Sequence, residues 1–226
     1  IYYLYCNMKN NISVIIPNQG SDLSNDFLTE LLKIDCEEII FVGGILNLNI
    51  VDPRIKILEN ISKSNASINR NIGSEKTKSD FLLFVDKDVI LDSSYINNNF
   101  VNKQIDFDLI YGMYKSLKFS KNFFDYFHNE ITVTRSLNSK IFSSSHFLIN
   151  RKIFNDIGKF NTVMDSYEDI EFFNRVLKSE NIKIFFDENF KGLHIKKYNI
   201  FNSIKETFIR FKNSIYYKNK YKKIFV

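Results

Sequence analysis

Short apolar runs alternate with amphipathic segments along the first half of the chain. Four runs are brief, rich in β-branched or aromatic residues and bounded by turn residues, which predicts buried strands. These strands lie at Ile12–Pro17, Glu38–Val42, Ile55–Leu58 and Phe81–Val85. Helical spacing of apolar residues predicts helices around Phe27–Leu32 and over Ser64–Lys78. Strands alternating with helices indicate βαβ units, so we expect an α/β, Rossmann-like fold with a mostly parallel central sheet flanked by helices.

The second half has a less regular pattern. It predicts strands at Asp108–Met113, His146–Ile149 and Lys183–Phe186, and helices at Arg151–Ile157 and Tyr167–Ser179. No repeat and no low-complexity linker divides the 226 residues. We therefore expect one domain over residues 1–198, followed by a separate tail at residues 199–226.

Composition excludes several classes of protein. Hydrophobic residues make up 44% and charged residues 25%, values typical of a globular domain and unlike disorder, collagen or coiled coil. Cys6 and Cys36 share no motif spacing, which argues against a disulfide scaffold or cysteine zinc site and favours a reducing compartment. Without a membrane-length apolar run or a basic signal-peptide start, we expect a soluble, cytoplasmic protein. The first residue is Ile rather than Met, which is consistent with a fragment.

Positive charge is concentrated at the C-terminal end of the chain. The net charge is +5, yet from Lys191 onward there are ten Lys or Arg residues and one acidic residue, Glu206. Apolar residues of the tail recur at near-helical spacing, which predicts a basic amphipathic helix suited to the anionic inner leaflet of a membrane. The alternative is a helix that packs back on the domain with its lysines solvated.

Paired carboxylates come directly after the fourth predicted strand. Asp86 and Asp88 flank Lys87 there, and two carboxylates at this spacing suit a hard divalent cation that keeps positions free for phosphate and water. An aspartate-rich turn is the alternative interpretation. Because ligands of open α/β sheets bind beyond the strand C-termini, we expect these residues to share a cleft with Pro17, Asn18 and Gly43–Gly44.

Three further groups are candidates for chemistry. Glu168 and Asp169 open a predicted helix, where they act either as simple capping charges or as a general base facing a cleft. Arg70 is either a solvated helical charge or a contact to phosphate or to the aspartate loop. His194 follows a strand and a glycine. It is either a packed residue or a ligand of a metal or phosphate. His128 lies in an aromatic stretch that favours packing, and His146 is open to either interpretation.

The order of these segments resembles the family 2 glycosyltransferases of the GT-A fold, which use a nucleotide-sugar donor. The resemblance spans roughly Ile12 to Lys197 and rests on five ordered motifs. They are ISVIIPNQG, NASINRNIGSEKTKSDFLLFVDKD, SSSHFLINRKIFNDIGKFN, SYEDIEFFNRVLKSE and GLHIKK.

This resemblance implies inverting, metal-dependent glycosyl transfer to a hydroxyl of a glycan or lipid-linked glycan. By family habit, it also implies a role in bacterial surface polysaccharide synthesis. It implies Mn²⁺ or Mg²⁺ held by Asp88, Asp86 and His194, and a base at Asp169, with Glu168 second. The donor would contact the residues Pro17, Asn18, Gly43, Gly44, Arg70, Asp86 and Lys87.

One motif departs from the family pattern. After the second strand the family usually carries two acidic residues that contact the nucleoside, and here Gly43 and Gly44 follow instead. Glycine lets a ligand approach the backbone closely, so we expect backbone contacts to the nucleotide base in place of these two carboxylates. A UDP-sugar is the family habit, and this departure leaves the nucleotide open.

Other functions fit the sequence less well. A sugar nucleotidyltransferase needs a glycine-rich basic loop after the first strand, whereas NQGSDLSND holds one Gly and no Lys or Arg. A degenerate, scaffold-like transferase domain is the alternative that Gly43–Gly44 motivates. Nucleic-acid binding has only the tail charge in its favour and no motif, so we expect none.

Overall fold

The computed structural model describes residues 10–18, 23–46, 48, 50–60, 65–115, 140–164, 166–195 and 200–220. The strands are β1 Ile12–Asn18, β2 Glu38–Gly43, β3 Ile55–Glu59, β4 Phe81–Val85, β5 Val89–Leu91, β6 Leu109–Lys115, β7 His146–Asn150 and β8 Ile184–His194. The helices are α1 Asn25–Leu32, α2 Ala66–Glu75, α3 Ser93–Ile96, α4 Arg151–Asp156, α5 Glu168–Lys178 and α6 Ile200–Lys220; a π-helical turn, Asn97–Val101, continues α3.

The eight described strands form one mixed sheet in the order β3-β2-β1-β4-β7-β6-β8-β5. The half from β3 to β4 is parallel throughout, as the predicted βαβ units require. From β4 onward the pairing is mixed: β7 pairs antiparallel with both β4 and β6, whereas β8 is parallel to β6. Four of these seven pairings are parallel, and the carboxyl ends of β1, β2 and β4 point to the same edge.

Both faces of the sheet are covered, which explains the continuous apolar runs in its central strands. Successive side chains of a strand point to opposite faces, so Ile12, Val14 and Ile16 pack in one core cluster and Ile15 in the other. The first cluster includes α1 and α3 side chains. The second is aromatic and packs α4 and α5 on the sheet, with the Phe84 and Phe147 rings stacked 4.8 Å apart.

Polar caps set the starts of the helices on the parallel half. The Ser24 side chain accepts a hydrogen bond from the Phe27 amide at the start of α1, and Asn65 accepts one from Ile68 at the start of α2. Each cap satisfies a backbone N–H that has no partner within its helix. The predicted Ser64–Lys78 helix is therefore confirmed in a shorter form that begins after Asn65.

Two features of the second half differ from prediction. The strand predicted at Lys183–Phe186 extends as β8 to His194, and β5 and α3 were not predicted. The three residues of β5 pair antiparallel with the end of β8, so that strand exists only because β8 continues past the predicted stop. Within the described part of the chain, no helix combines the length and the apolar character needed to cross a bilayer.

Candidate active site

The turn from β4 to β5 holds Asp86, Lys87 and Asp88, all half-buried. Backbone hydrogen bonds fix this turn on both sides. The Asp86 amide donates to the Ser145 carbonyl over 2.8 Å, and the Asp88 carbonyl accepts from the Ile195 amide over 2.8 Å. The two carboxylates are therefore held between the segment entering β7 and the end of β8.

Arg70 on α2 lies beneath this turn and is only 2% exposed. Its Nη2 atom is 2.7 Å from Asp86 Oδ1, and its Nη1 atom is 3.3 Å from Glu168 Oε1. The guanidinium also stacks over the Phe160 ring, 5.4 Å from the ring centre. Arg70 is thus no solvated helical charge, because one buried cation joins the aspartate turn to the start of α5.

Glu168 and Asp169 occupy the first turn of α5, as predicted. Tyr167 precedes them in the left-handed conformation with φ 65°, a backbone state that is uncommon for a bulky residue. Arg175 anchors the helix from its other end. This side chain makes two hydrogen bonds to the Glu171 carboxylate and donates to the carbonyls of Ile157 and Lys159.

Burial and crowding of carboxylates shift the pKa values at this point. Desolvation, and then the neighbouring Glu168 carboxylate, raise the pKa of Asp169 to about 7. Desolvation also raises the pKa of Asp86, and Asp88 adds to this effect while Arg70 opposes it. Burial alone would lower the pKa of Arg70, but Asp86 and Glu168 outweigh it and keep the guanidinium charged. The site therefore pairs a fixed cation with a carboxyl group that titrates near neutral pH.

His194, at the end of β8, lies beside the aspartate turn. Its Nε2 atom is 3.5 Å from Asp88 Oδ2. The Tyr114 and His194 rings pack edge to face with their centres 5.9 Å apart. The Tyr114 hydroxyl forms hydrogen bonds with the Ser143 hydroxyl, over 3.1 Å, and with the Ser145 hydroxyl. Desolvation raises the pKa of Tyr114 to about 12, so its hydroxyl keeps its proton.

His146 is a buried residue of β7 that is 1% exposed. Its ring packs against those of Tyr114 and Phe190, and burial lowers its pKa to about 4. Gly192 makes room for it, since a Cβ atom at that position would lie 3.0 Å from the His146 ring. The structure therefore assigns His146 to packing, whereas His128 lies outside the described residues.

The other candidate donor contacts meet where β1 and β2 end. The Gly44 amide donates a hydrogen bond to the Asn18 backbone carbonyl over 3.0 Å, and the Asn18 side-chain amide donates one to the Gly44 carbonyl. Gly43 has φ 138°, and a Cβ atom there would lie 1.6 Å from the Asn18 carbonyl oxygen. Pro17 is buried in β1 opposite Val42. The close approach of two strands therefore explains the glycine at position 43.

Helix α2 joins these two groups of residues. Asn69 lies within hydrogen-bonding distance of the Asn18 carbonyl and of the Asn60 side chain, and the next residue, Arg70, binds the aspartate turn. Asn71 exchanges two hydrogen bonds with the backbone of Phe160, ahead of α5. The sequence pattern pointed to Arg70 alone. Asn65, Asn69 and Asn71 were missed, although three asparagines at the N-cap and in the first two turns of one helix were a usable signal.

The residues around Asp88 fit a hard divalent cation that also binds phosphate. Asp88 and His194 offer an oxygen and a nitrogen ligand side by side, while Arg70 engages one oxygen of Asp86. No cluster of three or more His, Cys, Asp or Glu ligands is present among the described residues. An incomplete protein ligand set is what Mg²⁺-type sites show when substrate phosphates and water complete the coordination.

Comparison with known proteins gives structural relatives only. No family model matches the chain, and no curated sequence matches it. Among solved structures, the structure of TarS 1–349 from S. aureus aligns with 81% of this chain and 60% of its own length, at 18% identity and a TM-score of 0.56. The same protein in complex with UDP-GlcNAc aligns with 18% identity, over 84% of this chain and 59% of that one, with a TM-score of 0.56.

A mannosyltransferase, PcManGT from Pyrobaculum calidifontis in complex with GDP-Man and Mn²⁺, aligns over 87% of this chain and 60% of its own length. Its identity is 12% and its TM-score 0.62. The chain thus spans about 60% of the length of TarS 1–349 and of PcManGT, and 37% of a longer TarS structure. At these identities the match shows the fold, and the mixed sheet with its covered faces is a glycosyltransferase fold of the Rossmann-like GT-A type.

Proposed function

We propose that the protein transfers a sugar from a nucleoside-diphosphate sugar to an acceptor hydroxyl, with inversion at the anomeric carbon. One observation carries the proposal: Arg70 holds Asp86 and Glu168 around a single buried guanidinium. This contact supports a shared site for the proposed donor-side carboxylate Asp86 and the acidic pair that opens α5. The base must reach the acceptor hydroxyl while that hydroxyl attacks the anomeric carbon of the bound donor, so both groups need to lie in one site.

The donor side comprises the end of β1, the end of β2 and the aspartate turn. Asn18, Gly43 and Gly44 would line the nucleoside, with Pro17 shaping the strand end beneath it. Arg70, Asp86 and Lys87 would lie toward the ribose and diphosphate. The structural relatives were solved with UDP, UDP-GlcNAc and GDP-Man, so a hexosyl or N-acetylhexosaminyl donor is the natural candidate.

Asp88, Asp86 and His194 would hold Mn²⁺ or Mg²⁺ together with the donor phosphates. When bound, such a cation offsets the negative charge that develops on the departing diphosphate. Tyr114 supports this group, since its ring packs on His194 while its hydroxyl is tied to Ser143 and Ser145.

Asp169 is the proposed general base, with Glu168 as the second candidate. The acceptor oxygen forms a bond to the anomeric carbon, the bond to the diphosphate oxygen breaks on the opposite face, and the acceptor proton passes to a carboxylate oxygen. A base works best when its pKa lies near the working pH, and the pKa of Asp169 is about 7. Glu168 is engaged by Arg70, which leaves Asp169 as the better proton acceptor.

The acceptor is proposed to be a glycan or a lipid-linked glycan of bacterial surface polysaccharide or capsule synthesis. The setting would be the cytoplasm at the inner face of the membrane, where nucleotide sugars are available. This assignment follows the resemblance of the ordered motifs and the basic tail.

Calorimetric titration tests the donor site. UDP, CDP, GDP and dTDP would each be added with and without Mn²⁺ to the wild type and to Asp88→Ala. We expect one nucleotide to bind only with the metal, and its affinity to fall at least about tenfold in the variant. Asp80→Ala is the matched control, because Asp80 is an exposed aspartate just before the opposite end of β4.

Two results would count against the proposal. A folded wild type that binds none of the four nucleotides would favour the scaffold alternative raised by Gly43–Gly44. Binding that is equally strong in wild type and Asp88→Ala would remove the aspartate turn from the donor site.

A further inference from the structure

The C-terminal helix α6 exposes a row of large apolar side chains. Their exposed fractions run from 48% to 80%, for the residues Phe201, Ile204, Phe208, Phe211, Ile215 and Tyr216. The first five are spaced three and four positions apart in turn, so they fall on one side of the helix. We call these five residues the α6 stripe. Burying it would remove several aromatic and aliphatic side chains from water.

The helix touches the rest of the protein on its other side. The Asn213 side chain donates a hydrogen bond to Ser166 over 3.0 Å, and Asn213 lies about half a turn around the helix from the stripe. The stripe therefore faces away from the domain. The five side chains of the stripe are exposed and do not pack on the domain.

The charge of α6 favours an anionic surface as the binding partner of the stripe. Residues 200–220 contain five basic residues and one acidic residue, and Lys205 and Lys212 each follow directly after a stripe position. Pairing with a second copy of this helix would bring like charges together beside the seam, without acidic partners. An anionic lipid surface instead accepts the apolar stripe and attracts the flanking lysines.

We propose that α6 is a membrane-docking helix that lies in the interface of an anionic bilayer with the α6 stripe inserted. Each of the two forces involved is weak alone, so apolar insertion and charge attraction are both needed for stable binding. The docking itself does not depend on the catalytic assignment.

The position of α6 gives this docking a role, which rests on the proposed function. Ser166, the contact of Asn213, comes two residues before Glu168 and three before Asp169. A bilayer that holds the stripe would therefore lie about one helix diameter, roughly 10 Å, from this contact. The arrangement favours a lipid-linked acceptor, delivered from the membrane to the α5 end of the site.

Vesicle flotation tests the docking with no nucleotide or sugar present. The full chain would be mixed with vesicles of phosphatidylcholine alone or of phosphatidylcholine and phosphatidylglycerol in equal amounts. We expect binding to the anionic vesicles, loss of most of that binding between about 0.1 M and about 1 M salt, and a fall of about tenfold or more in Phe208→Ser/Phe211→Ser.

The matched control is Ile45→Ser/Val51→Ser, which removes two comparably exposed apolar side chains far along the chain from α6. It should bind vesicles like the wild type. Equal binding by the stripe variant and the wild type would overturn the proposal, as would equal binding to both vesicle types. A concentration-dependent dimer that only the stripe variant loses, with no vesicle binding, would assign the stripe to a second copy instead. Nucleotide titration is a separate readout, so failure of docking and failure of the donor site are distinguishable.

Discussion

At the residue scale, the central feature is a set of acidic groups gathered around one buried cation. The Glu168 carboxylate lies close enough to raise the pKa of both Asp86 and Asp169, and the Arg70 guanidinium opposes this effect at each of them. Such clusters destabilise a folded protein at the pH where every carboxyl group is ionised. Their presence beyond the end of a strand is typical of functional sites.

Asp169→Asn should therefore lower the transfer rate sharply and stabilise the fold. Loss of a general base lowers the transfer rate by about 10²–10⁴-fold. Because burial raises the pKa of Asp169 from its ordinary value near 4 to about 7, the cost to folding grows as the pH rises through this range and is complete above about 7. We expect a gain in melting temperature of about 2–4 °C at about pH 8 and a smaller gain at about pH 5.

The same pKa predicts that transfer by the wild type rises with pH through about 7. Glu180→Gln is the control, since Glu180 is an exposed acid just beyond α5 and should change neither property. A melting temperature of Asp169→Asn that drops at both pH values would show that the carboxylate has a structural role instead.

At the element scale, α2 organises the site. Within one helix, Asn69 binds the end of β1, Arg70 binds the aspartate turn and α5, and Asn71 binds the segment before α5. Gly73 lets this helix approach the sheet, since a Cβ atom there would lie 2.5 Å from the Ile15 side chain. The buried polar residues of α2 therefore position loops as well as filling space.

Arg70→Met should be strongly destabilising because it leaves the surrounding carboxylates without a cation. We expect a loss of about 3–5 kcal/mol in the free energy of unfolding, measured by urea denaturation near neutral pH. The loss should shrink toward about pH 5, where carboxyl groups with raised pKa values take up protons and stop repelling one another.

Lys76→Gln is the matched control, because it removes an exposed cation at the C-terminal end of the same helix; its effect should stay within about 0.5 kcal/mol. A loss for Arg70→Met that is small, or that does not depend on pH, would contradict the charge-linking role of this residue.

At the scale of the whole molecule, the sheet combines a parallel half with a mixed half, and the site lies where they meet at β4. The central strands β1, β4 and β7 are almost entirely buried, whereas β3 at one edge has mostly exposed or half-buried side chains. Rigid central strands therefore carry the aspartate turn, which suits a site that needs fixed geometry.

Hydrogen–deuterium exchange should follow this order of strands. Amides of β1, β4 and β7 should exchange slowest, near the global unfolding limit, and those of β3 and β5 fastest among the strands. Mass spectrometry of peptides from each strand measures this directly. If the β3 amides exchanged as slowly as those of β1, the assignment of β3 as an open edge of the sheet would be wrong.

Local pattern was enough to predict most of the strands, the parallel first half and the polar groups that follow β1, β2 and β4. Apolar periodicity and turn residues act over a few positions, so they can be read directly from the chain. The ordered motifs also indicated the GT-A type fold, which the structural relatives confirm.

Tertiary structure alone decided how those pieces meet. Arg70 and Glu168 are 98 positions apart, β7 joins β4 in the antiparallel direction, and Tyr114 reaches Ser145 and His194 from a different strand. The sequence likewise did not determine whether the α6 stripe packs on the domain or faces outward, as it does in the structure. Contacts of this kind depend on how the elements pack against one another, and the spacing of residues within one element does not specify that packing.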